Sequence, residues 1–329
     1  MRAREDGTVL LSTLLMLSLM SAVALGLLAT LRLSVAKAQQ LGDTAQAELY
    51  AQGAESFAAV QLEPLAALDG PARNAALLQA EPVVLPFEGG SITAVIRDGT
   101  HCLRLSALAG NGVDTAQMRL RNLLGVLGLP PGEASGLAAT AADWVDEDTA
   151  TRPGGAEDGT YLFRELPHRT ANTALSSVAE LRALEGMTEA TFQTLRPHVC
   201  IGRAGTATRF NVDTMDATHL PVLQALIAGE NVPPSLARDI LERRPASGYG
   251  AAETLGSVLG EDALQGADLS ALAFAPDRVE VEAVVRFGTV ERARLFGFEG
   301  LDGGPVELTY RDWGRASFRP VVEADGEEP

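Results

Sequence analysis

The stretch Asp143–Leu162, DWVDEDTATRPGGAEDGTYL, gathers six carboxylates and one arginine around a Pro153-Gly154-Gly155 bend. Like charges at that density repel unless something neutralises them, and a hard cation is the simplest agent. Ca²⁺ takes about six to eight oxygen ligands from carboxylates, backbone carbonyls and water. The bend lets Asp146, Asp148, Glu157 and Asp158 converge, which makes these four the candidate metal ligands and Ca²⁺ the candidate cofactor. A solvated acidic face is the alternative for any such run. An EF-hand does not fit: with Asp146 as first ligand, Asp148 and Glu157 fall at the third and twelfth positions, but Ala150 stands at the fifth and Thr151 where glycine is required. Zn²⁺ is disfavoured because the nearest cysteine and histidine, Cys102 and His168, lie outside the loop.

Other chemistry has little support. His101, His168, His198 and His219 are scattered without metal-ligand spacing, and no G-x-S-x-G is present. Gly248-Tyr249-Gly250 runs into Ala-Ala-Glu and is no dinucleotide fingerprint. A protein that is not an enzyme is expected. Two cysteines allow at most one bridge; Cys102–Cys200 pairing and two separate buried thiols are both open, and a bridge would close a loop worth at most about 4–5 kcal/mol in the chain-entropy picture.

Ser177–Val199, with Ser177 and Glu180 placed for a capping box, and Asn211–Ile227 both resemble helix-hairpin-helix units. Binding DNA phosphate through such turns needs free amides and nearby cations. The turns here, Glu185-Gly186-Met187-Thr188 and Gly229-Glu230-Asn231-Val232, each carry a carboxylate, and the net charge is -17 at a pI near 4.7. No nucleic-acid partner is expected: a compact helical packing module is the preferred reading, and a DNA-binding protein that uses these helix-hairpin-helix units is the alternative.

Several elements must position these residues. Thr8–Leu31 runs 24 residues without a charge, a helix of about 36 Å against a bilayer core of about 30 Å. A cleaved secretory signal, with Ala36-Lys37-Ala38 as its site, is the rival, but the apolar run exceeds the usual 7–15 residues or so. Leu31, Val35, Ala38, Leu41, Ala45 and Leu49 continue a helical apolar stripe, predicting one helix to about Leu62, before Pro64. Arg2 and Arg4 on one side and Arg32 and Lys37 on the other leave the positive-inside count balanced.

Ser91–Ile96 and Cys102–Leu108 read as a hairpin around Asp98-Gly99, and Arg278–Phe287, Thr289–Phe298 and Val306–Trp313 as later strands. The expected architecture is α+β: a long N-terminal helix packed on an antiparallel sheet, with a large all-helical domain inserted between its strands. The expected division is 1–7 leader, 8–31 membrane helix, 32–62 amphipathic helix, 63–110 first part of the sheet domain, 111–275 inserted helical domain, 276–320 completing strands and 321–329 acidic tail.

A short polar leader ending in Gly7, then an uncharged helix that turns amphipathic, resembles a type IV pilin-like prepilin. The resemblance implies cleavage by prepilin peptidase between Gly7 and Thr8, with methylation of the new N-terminus. Such subunits usually carry glutamate five residues into the mature chain; Ser12 stands there, and the general secretion pathway protein K family, minor pseudopilins of type II secretion, characteristically lacks that glutamate. Asp143-Trp144-Val145-Asp146 with Arg152-Pro153-Gly154-Gly155-Ala156-Glu157-Asp158, then Leu195-Arg196-Pro197-His198-Val199 and Phe210-Asn211-Val212-Asp213-Thr214, are similar to that family in order, so the likeness spans nearly the whole chain. The chain departs from it after Asp158, where Gly159, Thr160 and Tyr161 replace the usual Asp-Tyr-Tyr. The resemblance implies a pilin-like fold with a helix-hairpin-helix or SAM-like insertion, bound calcium, and partners among other minor pseudopilins and the inner-membrane assembly platform. It further implies a single-pass inner-membrane protein with its C-terminal domain in the periplasm, at the tip of a filament that helps export folded proteins.

Overall fold

The computed structural model describes residues 5–229 and 231–313. Met1–Arg4 of the predicted leader, Glu230 of the second hairpin turn, residues 314–320 and the acidic tail 321–329 lie outside the described residues.

Helix α1 spans Glu5–Ala66. Its first half is apolar on all sides, long enough to cross a membrane and uncovered by the rest of the chain: Val9, Leu14, Met20 and Leu25 are all mostly exposed. Hydroxyls in this stretch are satisfied inside the helix, Ser12 Oγ donating to Val9 O at 2.9 Å and Ser18 Oγ to Leu15 O at 2.8 Å. The helix passes Pro64 and ends two residues later. The proline forfeits only the bond to the carbonyl of Val60, an exposed residue that water can serve.

The face that α1 turns to the sheet is not the stripe of large residues expected from hydropathy. Leu31, Val35, Leu41 and Leu49 are exposed, whereas Ala47, Ala51, Ala54, Ala58 and Leu62 are buried. These five recur every three or four residues along one face, and four of them are alanine, so the helix axis can approach the strands closely. Ion pairs flank the seam: Glu48 with Arg294, and Glu55 with Arg311 through two bonds of 2.6 and 2.7 Å.

Beneath α1 lies an antiparallel sheet of β1 (Val83–Phe87), β2 (Gly90–Asp98), β7 (Arg278–Phe287), β8 (Val290–Glu299) and β9 (Glu307–Trp313), in the order β1-β2-β7-β8-β9. Strand alternation in β7 delivers Val279, Val281, Ala283 and Val285 to the α1 side, where Phe296 and Phe298 of β8 join them. The late strands fall where the sequence pattern places them.

The early hairpin does not. Ser91–Ile96 lies in β2, but its hairpin partner is β1, upstream, through a turn at Glu88 and Gly89 (φ 84°). Pro86, a residue that reads as a loop signal in the sequence, is tolerated in β1 because β1 is an edge strand, where a missing N–H breaks no ladder. Cys102–Leu108 contributes only the two-residue β3 (Leu103–Arg104), paired in parallel with β4 (Val199–Cys200), followed by a 3₁₀ turn. Leu103, Leu105, Ala107 and Leu108 pack in the core of the helical region and not under α1. The insertion therefore leaves the sheet after Asp98, earlier than the expected boundary at 111.

Between β2 and β7 lie α3 (Val113–Val126), α4 (Pro131–Val145), α5 (Asp158–Tyr161), α6 (Glu189–Leu195), α7 (Leu220–Leu226), α8 (Leu236–Glu242), α9 (Ala252–Leu259) and α10 (Glu261–Leu264). Their buried leucines, alanines and aromatics form a second core, distinct from the one under α1; Leu295 of β8 and Tyr310 of β9 join it from the sheet. A second short parallel pair, β5 (Phe210–Asn211) with β6 (Leu272–Ala273), lies near the point where the chain returns to the sheet. The capping box of Ser177 and Glu180 forms, but on a 3₁₀ turn, Val178–Ala183, in place of the first α-helix expected there.

The root of the insertion is dense with polar ties. Cys102 is disulfide-bonded to Cys200, with Cα atoms 5.7 Å apart. Arg104 Nη2 meets Asp277 Oδ1 at 2.6 Å. Asp98 Oδ2 accepts from Asn211 Nδ2 at 2.8 Å, and the same amide reaches Asn74 Oδ1 at 2.9 Å. Asn74 lies on α2 (Gly70–Leu78), beside the buried Arg73. That guanidinium donates to the carbonyls of Leu65, Ala66 and Leu68 at the end of α1, at 3.3, 3.1 and 2.7 Å, and to Pro276 O at 3.1 Å. One side chain thus satisfies carbonyls left over at the end of α1 and ties them to the exit of the insertion.

Arg73→Ala strands the buried Pro276 carbonyl and three half-buried ones and is expected to cost about 3 kcal/mol, measured as urea denaturation of the purified full-length protein in detergent micelles. Thiol labelling of the denatured, unreduced chain is expected to find no free cysteine.

Candidate functional site

The acidic loop is built on the last turn of α4. Residues 137–145 of that helix are all buried, and Asp143 among them is 0% exposed. A carboxylate in that position needs a cation, and Arg152 supplies it. Asp143 Oδ1 accepts from Arg152 Nη1 at 2.9 Å, and its two oxygens receive the Arg152 backbone N–H at 3.3 and 3.2 Å. Burial raises the Asp143 carboxyl above its usual range, while these bonds act to lower it. The same Nη1 also bonds Asp146 Oδ2. Burial works against the Arg152 charge, but the bonds to Asp146 and Asp143 outweigh it and hold the guanidinium above its ordinary value.

The Pro-Gly-Gly bend is a type II turn. Gly155 N–H donates to Arg152 O at 2.8 Å, with Pro153 at the position that favours its fixed φ and Gly154 at φ 80°. Gly155 admits no side chain, since a Cβ there would stand 2.1 Å from Asp143 Oδ2. After Ala156, buried under the loop, Glu157 precedes α5 and is 5% exposed.

Asp146, Asp148 and Glu157 each offer a carboxylate oxygen to a cluster whose members all lie within 4.8 Å of one another. Oxygens bound to one Ca²⁺ at about 2.3–2.6 Å sit at most about 5 Å apart, so this spacing fits a hard cation. Two atoms sharpen the point: Asp146 Oδ1 and Glu157 Oε1 are buried without a hydrogen-bond partner among the described residues. Burial raises the Glu157 carboxyl, with the carboxylates of Asp143 and Asp146 adding to the shift. The third member, Asp148, is exposed, and its Oδ1 accepts from Ala150 N–H at 2.7 Å, so the two unpartnered oxygens stand beside a carboxylate that opens to solvent. Asp158 is turned away from this cluster. Its Oδ1 accepts from Thr170 N–H and Oγ1, both at 3.0 Å, and Arg169 stands 3.6 Å from Oδ2, so it anchors the returning chain. Gly159 projects into open space.

Neither Asp143 nor Arg152 was singled out as a site residue from the sequence, although both leave a trace there: an aspartate inside an otherwise apolar helix, and one arginine among six carboxylates. The hairpin turn at Gly186 holds its amides internally. Glu185 N–H donates to Tyr161 Oη at 3.1 Å and Met187 N–H to Leu184 O at 3.3 Å, while Arg164 covers the Glu185 carboxylate. A phosphate would find those donors taken. His101 and His219 meet with ring centroids 4.2 Å apart and planes tilted by 32°, and His101 Nε2 lies 3.0 Å from Asn211 O, within the polar root of the insertion.

Residues 101–203, which contain both the loop and the disulfide, match the family described as type II secretion system (T2SS), protein K. The type II secretion system protein K of Klebsiella pneumoniae is 34% identical over 283 residues, covering 82% of this chain and 84% of that protein. The chain belongs to the type II secretion system protein K family. The family member of Pectobacterium carotovorum subsp. carotovorum is 30% identical over 266 residues, covering 78% of this chain and 80% of that protein K. A chain in the crystal structure of the GspK-GspI-GspJ complex from the enterotoxigenic Escherichia coli type 2 secretion system superposes with a TM-score of 0.66 at 24% identity, over 84% of this chain and 99% of that one. The protein K likeness thus extends to the fold, a long N-terminal helix with an antiparallel sheet and a substantial helical part.

Gly155→Ala drives a methyl into the Asp143–Arg152 pair and is expected to destabilise the protein by about 3–5 kcal/mol, the cost of breaking a buried ion pair. Gly159→Ala, with open space around it, is expected to stay within about 0.5 kcal/mol of the wild type; chemical denaturation of the two variants side by side checks both.

Proposed function

We propose that this protein is a minor pseudopilin that joins other minor pseudopilins at the tip of the secretion filament and supports export of folded proteins across the outer membrane. The observation that carries the reading is α1, whose exposed apolar half leads without a break into an alanine seam on the sheet. Such a helix serves first as a single-pass anchor and then, withdrawn from the bilayer, as the packing element of a filament. The exposed stripe of Leu31, Val35, Leu41 and Leu49 is available to neighbouring subunits once assembled. Removal of the leader between Gly7 and Thr8 by prepilin peptidase, methylation of the new N-terminus and recruitment by the inner-membrane platform belong to the same reading.

Placement of the C-terminal domain in the periplasm is supported by the Cys102–Cys200 bond, since disulfides persist on the oxidising side of the inner membrane. The insertion, read as a helix-hairpin-helix or SAM-like packing module, would cap the filament by its bulk. The chemistry is structural; the family is that of a secretion component, and no catalytic role is assigned to any residue.

Ca²⁺ is the proposed ligand of the loop, held by Asp146, Asp148 and Glu157, with Asp158 supporting the returning chain. Bound there, the ion supplies charge neutralisation and a cross-link between the end of α4 and the start of α5. Calorimetry on the full-length protein in micelles is expected to show Ca²⁺ binding that Asp148→Ala combined with Glu157→Ala abolishes; wild-type protein that binds none rules the cation out.

The enterotoxigenic Escherichia coli complex joins GspK with GspI and GspJ. Co-expression of this chain with the corresponding minor pseudopilins of its own system is expected to yield a complex on affinity purification. Failure to recover one, with each subunit present and folded, overturns the tip assignment.

A further inference from the structure

Arg152 occupies a position that neutralising a crowded loop does not by itself require. Its guanidinium is clamped by the fully buried Asp143 and takes one oxygen of Asp146, a residue that also clusters with Asp148 and Glu157 and whose other oxygen is buried without a partner among the described residues. Glu157, more than nine-tenths buried, likewise has Oε1 without a partner among the described residues. Asp146 therefore belongs both to the cluster and to the arginine pair: Oδ2 already holds a cation that belongs to the protein, and Oδ1 is left buried without a partner among the described residues. A cavity of about 380 Å³ lined by Asp146, Glu147, Arg152, Asn172 and Ala174 adjoins this point.

We propose that Arg152 is a built-in counter-cation and positioning residue of the metal loop, sharing Asp146 with the bound ion and setting the charge that the ion must match. The proposal rests on the cation reading given above. Asp143, Asp146, Asp148 and Glu157 carry four negative charges when ionised, and Arg152 returns one positive charge. A divalent ion then comes close to balance, while a trivalent ion would balance the same set in full. Asp143 holds the guanidinium through Nη1, and the Arg152-Pro153-Gly154-Gly155 turn with the Arg152 N–H bonds to Asp143 holds its backbone, so the charge is anchored at two points. Electrostatic repulsion between Arg152 and the ion grows with ionic charge, and at a separation of a few ångströms one added unit is worth a tenfold change in binding or more.

The test compares Ca²⁺ and Tb³⁺ binding to the full-length protein in micelles, by calorimetry and by Tb³⁺ luminescence. Removing the arginine charge in Arg152→Gln is expected to raise the ratio of Tb³⁺ to Ca²⁺ affinity about tenfold or more. Arg152→Lys, which keeps the charge, is expected to restore the wild-type ratio within about threefold even where both affinities fall. A purely structural role would weaken both ions together and leave the ratio unmoved. If Arg152→Gln does not fold, the Asp143→Asn, Arg152→Gln double variant replaces the buried ion pair by a neutral hydrogen-bonded pair; a smaller rise in the ratio is expected, because the charge nearest the ion is still the one removed. Wild-type binding with an unchanged ratio in the charge-removed variant overturns the role of Arg152 and leaves the cation site standing. Wild-type protein that binds neither ion overturns both.

Discussion

The pairing of β2 with β7 is the constraint on which the rest of the molecule hangs. Nine register pairs, from Gly90 with Phe287 to Asp98 with Val279, join strands that lie far apart in sequence. Everything between Asp98 and Arg278 must therefore leave and re-enter at one corner of the sheet, one strand spacing apart. An insertion of that size escapes a prohibitive closure entropy because the cost grows only with the logarithm of loop length. The stabilising return comes from a core of its own and from the polar ties at the root.

Those ties and the acidic loop follow the same rule. Four buried charges are met by charges or dipoles of another element: Arg73 by the end of α1 and by Pro276 O, Arg104 by Asp277, Asp143 by Arg152 and Arg119 by Asp268. Such groups are costly to strand and gain little over apolar substitutes when paired. Their value here is positional, because each fixes the register of one segment against another. In the loop, the pairing stops short of completion, and the two unpartnered oxygens mark where the protein's own supply of positive charge ends.

Much of this architecture was legible in the residues. The uncharged run from Thr8 to Leu31 and the alternating strands from Arg278 onward carry strong periodic signals, and the placement of a helical insertion followed from their separation. The acidic cluster was legible because charge density needs no tertiary information. What escaped was of another kind. Pro86 disguised an edge strand, since edge and interior look alike without knowledge of neighbours. The sheet-facing stripe of α1 is alanine, which scores weakly on any hydropathy scale and reveals itself only by the closeness of the strands. Asp158 turned to Thr170 and not to the other carboxylates, a choice made by the path of residues 162–170. The pairing of Cys102 with Cys200 depended on the β3–β4 contact, for which two-residue strands leave no pattern. The roles of Arg73, Asp143 and Arg152 likewise depend on partners that periodicity does not disclose.

The root of the insertion has a mechanical meaning as well. Two backbone crossings, the Arg104–Asp277 pair and the Arg73 fork act in parallel across the same short span, and the Cys102–Cys200 bridge braces the insertion just beyond them. Links in parallel add their stiffnesses, so a torque on the helical part is resisted without any single link bearing it alone. Arg73 carries that load directly onto the end of α1, whose axis runs the length of the molecule. A load passed along the helix would thus meet the insertion through several ties at once and not through a single connecting strand.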